Sequence, residues 1–156
     1  MKRLIWIWVS LGVMTVATGA RAADELTEVH AKAVAGKAIL ALQHGLATGE
    51  LQPFYDLLDE SISFFFPNMS EYRYLKGKPP VQAFFDRVHT GYNRGLFFVE
   101  ILRVSANDNT VVTEARVEAQ KKDDSWYRNR VAISLDVCGE KICAYREYFG
   151  SDAKSN

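Results

Sequence analysis

Apolar and polar residues follow a helical period in the first part of the chain. Between residues 24 and 48 the apolar positions recur at the spacing of one helix face, and Gly49 offers a C-terminal stop. A short second helix is predicted over 50–58, with Pro53 in its first turn. A third is predicted over 79–92, where a proline pair starts the helix.

The remaining segments have the period of two that is typical of strands. A short apolar run at 62–66 precedes the third helix, and longer strands are predicted over 96–105, 110–120, 126–138 and 141–149. Helices therefore come first and a meander of strands follows. This order predicts an α+β domain in which three N-terminal helices pack on a strongly curved antiparallel sheet, in the shape of a cone.

The predicted strands have one apolar and one polar face. With a two-residue loop at Gly139-Glu140, the apolar face of the last two strands holds Val131, Ile133, Leu135, Val137, Ile142, Ala144 and Tyr148. The polar face then holds Arg128, Arg130, Ser134, Asp136, Cys138, Cys143, Tyr145 and Glu147. The strand at 110–120 adds Glu114, Arg116, Glu118 and Gln120 to one of its faces.

Two interpretations of the polar face stay open. A sheet with one face on the core and the other in water gives the same alternation. If the polar face instead lines a pocket under the helices, Glu118, Arg116 and Glu147 form an acid–arginine–acid set. An arginine lowers the pKa of a neighbouring carboxyl group while burial raises it, so such a set can hold one carboxylate as a base and the other as an acid.

The N-terminus has the pattern of an export signal. Lys2 and Arg3 precede an apolar run at 4–17, and Ala20 and Ala22 give the small residues that a signal peptidase accepts. We predict a signal peptide over 1–22 and one domain over 23–156, located in the periplasm or secreted. The alternative is a retained membrane anchor, but the run is shorter than the roughly 20 residues that span a bilayer. After removal of the signal no membrane association is expected.

Charge and motifs exclude several classes of function. The chain has 19 basic and 19 acidic side chains, and residues 1–22 hold three of the basic ones and no acid, so the rest has a net charge of −3. A mildly acidic domain has no electrostatic attraction for nucleic acid. No phosphate-binding loop and no metal-ligand spacing of histidines is present, so neither a cofactor nor a metal is predicted. His89 alone is placed to reach a pocket, although a position on the helix surface or in a cap explains it better.

The chain has two cysteines, Cys138 and Cys143, on either side of the last predicted turn. They share a sheet face under a two-residue or a four-residue loop, and they face each other directly only under the longer one. A disulfide, two free thiols and a metal pair all remain open. Export favours the disulfide, because secreted proteins fold under oxidising conditions.

The order of elements and three motifs resemble the SnoaL-like, steroid-isomerase-like group of the nuclear transport factor 2 superfamily. The motifs are Ala47-Thr48-Gly49-Glu50-Leu51, Lys76-Gly77-Lys78 and Tyr145-Arg146-Glu147-Tyr148-Phe149. The resemblance covers nearly the whole chain after residue 22 and implies the curved α+β fold. It implies no single activity, since this fold carries isomerases, cyclases, dehydratases, hydrolases and binding proteins. Sheets of this fold often pair, so a homodimer with Trp126 and Tyr127 at the contact is an expectation.

Limonene-epoxide hydrolases resemble the chain more closely at three places. Phe66-Pro67-Asn68-Met69 is similar to their Tyr-x-Asn-Met, Arg116-Val117-Glu118 to their Arg-x-Asp, and Arg146-Glu147-Tyr148-Phe149 to their Arg-Asp-Tyr-Phe. The resemblance implies Glu147 as the base that activates water, Glu118 as the acid, Arg116 as the bridge and Asn68 as a water holder. Phe66 stands where that family has a tyrosine.

The many phenylalanines fit an apolar pocket as well as a core. We therefore expect an exported domain that binds a small apolar molecule, with Asn68, Phe66, Tyr145 and His89 at the ligand. The alternatives are an isomerase or epoxide-hydrolase-like enzyme that uses Glu147, Glu118 and Arg116, and a protein-interaction module that uses the outer sheet face.

Overall fold

The structure, a computed structural model, describes residues 16–67 and 69–150. In that range the chain forms three α-helices and six strands. The helices are α1 (Val16–Thr48), α2 (Gln52–Tyr55) and α3 (Lys78–Thr90). The strands are β1 (Leu58–Phe65), β2 (Tyr74–Lys76), β3 (Tyr92–Asn107), β4 (Thr110–Lys121), β5 (Trp126–Cys138) and β6 (Lys141–Gly150), with one 3₁₀ turn at Ser70–Tyr72.

The strands form one strongly curled sheet in the order β2-β1-β6-β5-β4-β3. All neighbours are antiparallel except β1 and β6, which run parallel, so the sheet is mixed. The predicted α+β fold with helices packed on a curved sheet is confirmed. Strand β2 was not predicted, because its three residues are too short for a period to be recognised.

The predicted signal peptide lies mostly outside the described residues. Helix α1 begins at Val16, and residues 1–15 are not described. Export and the boundary at residue 22 therefore remain predictions. Within 16–67 and 69–150, no helix combines the length and the hydrophobicity that a membrane crossing requires.

The core lies between the helices and the inner face of the sheet. Helix α1 contributes small buried residues, among them Ala31, Ala35 and Ala38, and so approaches the sheet closely. Helix α3 contributes Phe84 and Phe85. From the sheet come alternate residues of three strands: Val111, Ala115, Val117, Val131, Ile133, Leu135, Val137 and Ile142. Burial of this apolar surface is the main stabilising contribution.

A one-residue bulge interrupts the pairing of β5 with β6. Val137 pairs with Ile142 but Asp136 pairs with Ala144, so Cys143 is the extra residue. Because side chains alternate between faces, one extra residue moves every later side chain of β6 to the opposite face. Glu147 therefore lies opposite Ile133 instead of Ala132, and Tyr145 lies opposite Leu135. The prediction that both share a face with Arg128 and Asp136 was wrong.

The two cysteines are joined by a disulfide, with their Cα atoms 5.8 Å apart. Of the three alternatives that the sequence left open, the disulfide is confirmed. The turn is the two-residue one, since Cys138 pairs with Lys141. The bond therefore spans the bulge itself and holds the extra residue in the hairpin.

Gly95 allows strand β3 to pass directly against the C-terminal end of α1. Its φ is +72°, and an added Cβ would overlap the Leu46 carbonyl oxygen and lie 3.1 Å from that of Ala47. These are backbone atoms of a packed helix, so they cannot move aside cheaply. The crossing brings Leu46 and Leu96 to the same side of the domain, where both line a cavity.

We expect Gly95→Ala to lower the free energy of unfolding by about 3 kcal/mol or more, through backbone strain and overpacking together. Gly139→Ala is the matched control, because Gly139 also has a positive φ (+61°) but no atom lies within 4 Å of its added Cβ. The control should lose only about 1 kcal/mol. Urea unfolding of both variants checks this, and equal losses would contradict the close crossing.

Candidate functional site

A cavity of about 420 Å³ lies between the inner face of the sheet and helices α1 and α3. Its walls are mostly apolar, and eight of its described lining residues are aromatic: Phe66, Phe84, Phe85, Tyr92, Phe98, Tyr127, Tyr145 and Phe149. The volume falls within the roughly 300–1,000 Å³ typical of small-molecule sites. Of the predicted site residues, the cavity brings together Phe66, Tyr145 and Glu147.

Glu147 is the acidic group among the described residues that line this cavity. The bulge turns its side chain inward, where the Tyr145 hydroxyl donates a hydrogen bond to Oε2 at 2.5 Å. Burial raises the pKa of Glu147 from 4.5 to about 7, and the hydrogen bond from Tyr145 opposes that rise. At neutral pH the carboxyl group is therefore present both as an acid and as a base.

Three tyrosines surround this carboxyl group. Tyr145 is buried. Its pKa is raised well above the ordinary value, mainly by burial and secondly by the nearby charge of Glu147. Burial also raises the pKa of Tyr92, and it raises that of Tyr127 to about 12. The Tyr127 oxygen accepts a hydrogen bond from Asn129 at 3.0 Å, so its own proton stays available. All three phenols are neutral hydrogen-bond donors near pH 7.

The predicted acid–arginine–acid set does not form. On strand β4, Ala115, Val117 and Ala119 point to the core, so Arg116 and Glu118 point to the outer face. Arg116 pairs there with Glu100 at 2.6 Å. Glu118 accepts a hydrogen bond from Arg128 at 3.0 Å. The expectation that they meet Glu147 was wrong, and for β4 and β5 the interpretation of a polar face in water is correct.

The other predicted ligand residues lie elsewhere. The Nδ1 atom of His89 lies 3.1 Å from the Leu46 carbonyl oxygen, and its ring packs against Gly49. His89 therefore links α3 to the C-terminal end of α1. It is not among the residues that line the cavity. Asn68 lies outside the described residues. Its role stays a prediction.

Sequence reasoning missed Tyr92 and Tyr127 as cavity residues. Tyr127 was expected at a dimer contact, yet it lies on the inner face with Val131. The two residues are four apart in one strand and so share a face, and this shared parity was the signal that could have found Tyr127. Trp126, its neighbour, is exposed on the outer face. Tyr92 stood at the end of the predicted helix, although it is the first residue of β3. A homodimer remains a prediction.

Metal ligands do not cluster in the described part of the chain, where no group of three His, Cys, Asp or Glu side chains is arranged to hold an ion. One carboxyl group and three phenols in an apolar cavity instead suit a ligand that is mostly hydrocarbon and has a polar group. The same arrangement can take up or release a proton at Glu147, because its pKa lies near neutral pH.

Comparison with solved structures identifies the family. An NTF2-like protein from Anabaena variabilis ATCC 29413 is 39% identical in sequence and superposes with a TM-score of 0.76, over 93% of this chain and 100% of that one. The chain belongs to the NTF2-like family. The resemblance drawn from its motifs is thereby confirmed at the level of this superfamily. A comparison with family models and one with curated proteins each gave no match.

Two further structures have the fold of this NTF2-like protein at low sequence identity. An LEH-like epoxide hydrolase from M. tuberculosis is 18% identical with a TM-score of 0.59, over 76% of this chain and 84% of that one. A putative polyketide cyclase from Xanthomonas campestris pv. campestris is 17% identical with a TM-score of 0.65, over 80% and 93%. At these identities the likeness extends to the fold alone.

We expect Glu147 to make the stability of this NTF2-like protein pH-dependent. Its pKa is raised in the folded state, so its contribution is fully present below the ordinary value of 4.5 and is lost as the pH rises through about 7. Relative to Glu147→Gln, the wild-type free energy of unfolding should fall by on the order of 2–3 kcal/mol between pH 4.5 and 8. Urea unfolding at a series of pH values measures the difference.

Glu118→Gln is the matched control, since Glu118 is ion-paired on the outer face. Its curve should follow that of the wild type. If the free energies of unfolding of the wild type and Glu147→Gln change in parallel over the whole pH range, Glu147 is not held in an apolar interior.

Proposed function

We propose that the protein is an exported NTF2-like domain that binds a small, mainly apolar molecule in the cavity between its sheet and helices. The observation that carries this proposal is a cavity of about 420 Å³ with aromatic walls and one carboxyl group, Glu147. Sites for small molecules combine apolar walls with a few convergent polar groups in this way. Export rests on the sequence pattern of residues 1–22.

Packing energetics support a ligand in this space. Protein interiors are normally filled to the density of organic crystals, so a large apolar cavity forfeits dispersion contacts along all its walls. A hydrocarbon ligand restores these contacts and leaves water. Tyr92, Tyr127 and Glu147 can then hydrogen-bond to its polar group.

The neutral-range pKa of Glu147 favours a second candidate function, an isomerase. A carboxyl group with a pKa of about 7 can remove a proton from one carbon of a substrate and return it to another. The phenols of Tyr92 and Tyr127 would stabilise the charge that develops on a substrate oxygen. Epoxide hydrolysis by two carboxylates has less support, because Glu118 lies on the outer face with Arg128.

The fluorescent probe N-phenyl-1-naphthylamine, which brightens in apolar surroundings, tests the proposed function. We expect it to bind the wild type, and we expect Val88→Trp to weaken the binding at least tenfold, because Val88 lines the cavity and the larger ring fills it. The measurement is a fluorescence titration of each folded variant.

Val29→Trp is the control, since it makes the same change at an exposed helical position. Its affinity should equal that of the wild type. No binding to the wild type, or equal binding to all three proteins, would contradict ligand binding in this cavity.

A further inference from the structure

Opposite charges lie at different depths in the cavity. The charged residues that line it, within the described part of the chain, are Arg87, Lys121 and Glu147. Arg87 and Lys121 are exposed, so they mark the opening of the cavity to solvent. Glu147 lies inside, among aromatic rings. The two cations therefore interact with a ligand through water, whereas the acid interacts with it in an apolar medium.

Each cation at the opening has an acidic neighbour of its own. Arg87 lies 3.8 Å from a Glu71 oxygen and its guanidinium carbon lies 5.7 Å from the centre of the Tyr72 ring. The positive charge of Lys121 acts on the nearby carboxyl group of Asp123. Exposed charges are screened by water and salt, whereas buried or partly buried charges are screened much less. Glu147 therefore dominates the electrostatics inside.

The Glu147 carboxyl group has an incomplete set of partners. Tyr145 donates to Oε2, and no other described side chain donates to the carboxyl group or pairs with it. Partial burial has already removed part of the water from this group on folding, and the raised pKa expresses the cost. A cationic ligand would recover part of that cost, because the carboxylate needs less further desolvation to form the pair than an exposed one would.

The aromatic walls favour the same type of ligand. Eight rings surround the space next to Glu147. The faces of aromatic rings attract organic cations, and a carboxylate among rings is a common way to bind an ammonium group. Neutral and anionic ligands would gain the apolar contacts but not the charge interaction.

We propose, building on the proposed function, that the cavity takes a small apolar amine, whose ammonium group pairs with Glu147 and whose hydrocarbon body packs on the rings. Other charged and titratable groups face the same cavity: Tyr145, Tyr92 and Tyr127 from three strands, Lys121 from β4 and Arg87 from α3. The phenols stay neutral near pH 7, since their pKa values are raised. Glu147 is the group that titrates in this range, so amine binding must displace its proton below pH 7.

Three molecules with one ten-carbon skeleton test the proposal: geranylamine, geraniol and geranic acid. Each is titrated against bound N-phenyl-1-naphthylamine from pH 5 to pH 8. At pH 8 we expect geranylamine to bind at least tenfold more tightly than geraniol, and geranic acid to bind more weakly than both. The affinity for geranylamine should rise as the pH increases through 7, because Glu147 becomes charged.

Variants assign the effect to one residue. Glu147→Gln should remove the preference for the amine, while Glu118→Gln on the outer face should keep it. Geranylamine binding no tighter than geraniol, an affinity that falls with rising pH, or a preference retained in Glu147→Gln would overturn the proposal. The proposed function fails separately, if neither geraniol nor the probe binds at all.

Discussion

The inward position of Glu147 depends on one extra residue in one hairpin. Cys143 adds a residue to β6 that β5 does not match, so every later side chain of β6 changes face. The disulfide to Cys138 spans this irregularity and favours the register that contains it. Without the bulge, Arg146 and Tyr148 would point into the cavity, and Tyr145 and Glu147 would point to solvent. The chemistry of the cavity follows from this local feature rather than from the fold as a whole.

The acid is stabilised inside by a short list of contacts. A buried carboxylate without a partner is strongly unfavourable, and the hydrogen bond from Tyr145 offsets part of that cost. The rest appears as the raised pKa of Glu147. On the opposite face of β6, Arg146 forms two hydrogen bonds to Asp136, which anchors the same strand from outside. The strand thus has a fully paired charge outside and an incompletely paired one inside, as expected of a binding site beside a structural ion pair.

The sequence was sufficient for the fold and for part of the site. Periodicity located α1, α3 and the four long strands, because long amphipathic segments carry a strong signal. Glu147, Tyr145 and Phe66 were named from motif resemblance, and they do line the cavity. Arg116 and Glu118 were wrongly grouped with Glu147 because strict alternation along β6 puts all three on one face. The bulge moves Glu147 to the other face, and a bulge leaves no mark in a sequence pattern of period two. Parity with Val131 places Tyr127 on the inner face, but Tyr92 and Tyr127 come from strands that are distant in the sequence, so the register of the sheet is needed to show that they share the cavity with Glu147.

The carboxyl titration of Glu147 tests the central claim most directly. In protein labelled with ¹³C at glutamate side chains, the Glu147 resonance is assigned by its loss in Glu147→Gln and is followed from pH 3 to pH 9. An inward carboxyl group in an apolar cavity should titrate with a midpoint of about 7. A midpoint near the ordinary 4.5 would mean that Glu147 faces solvent, and that the bulge does not turn the last strand as described.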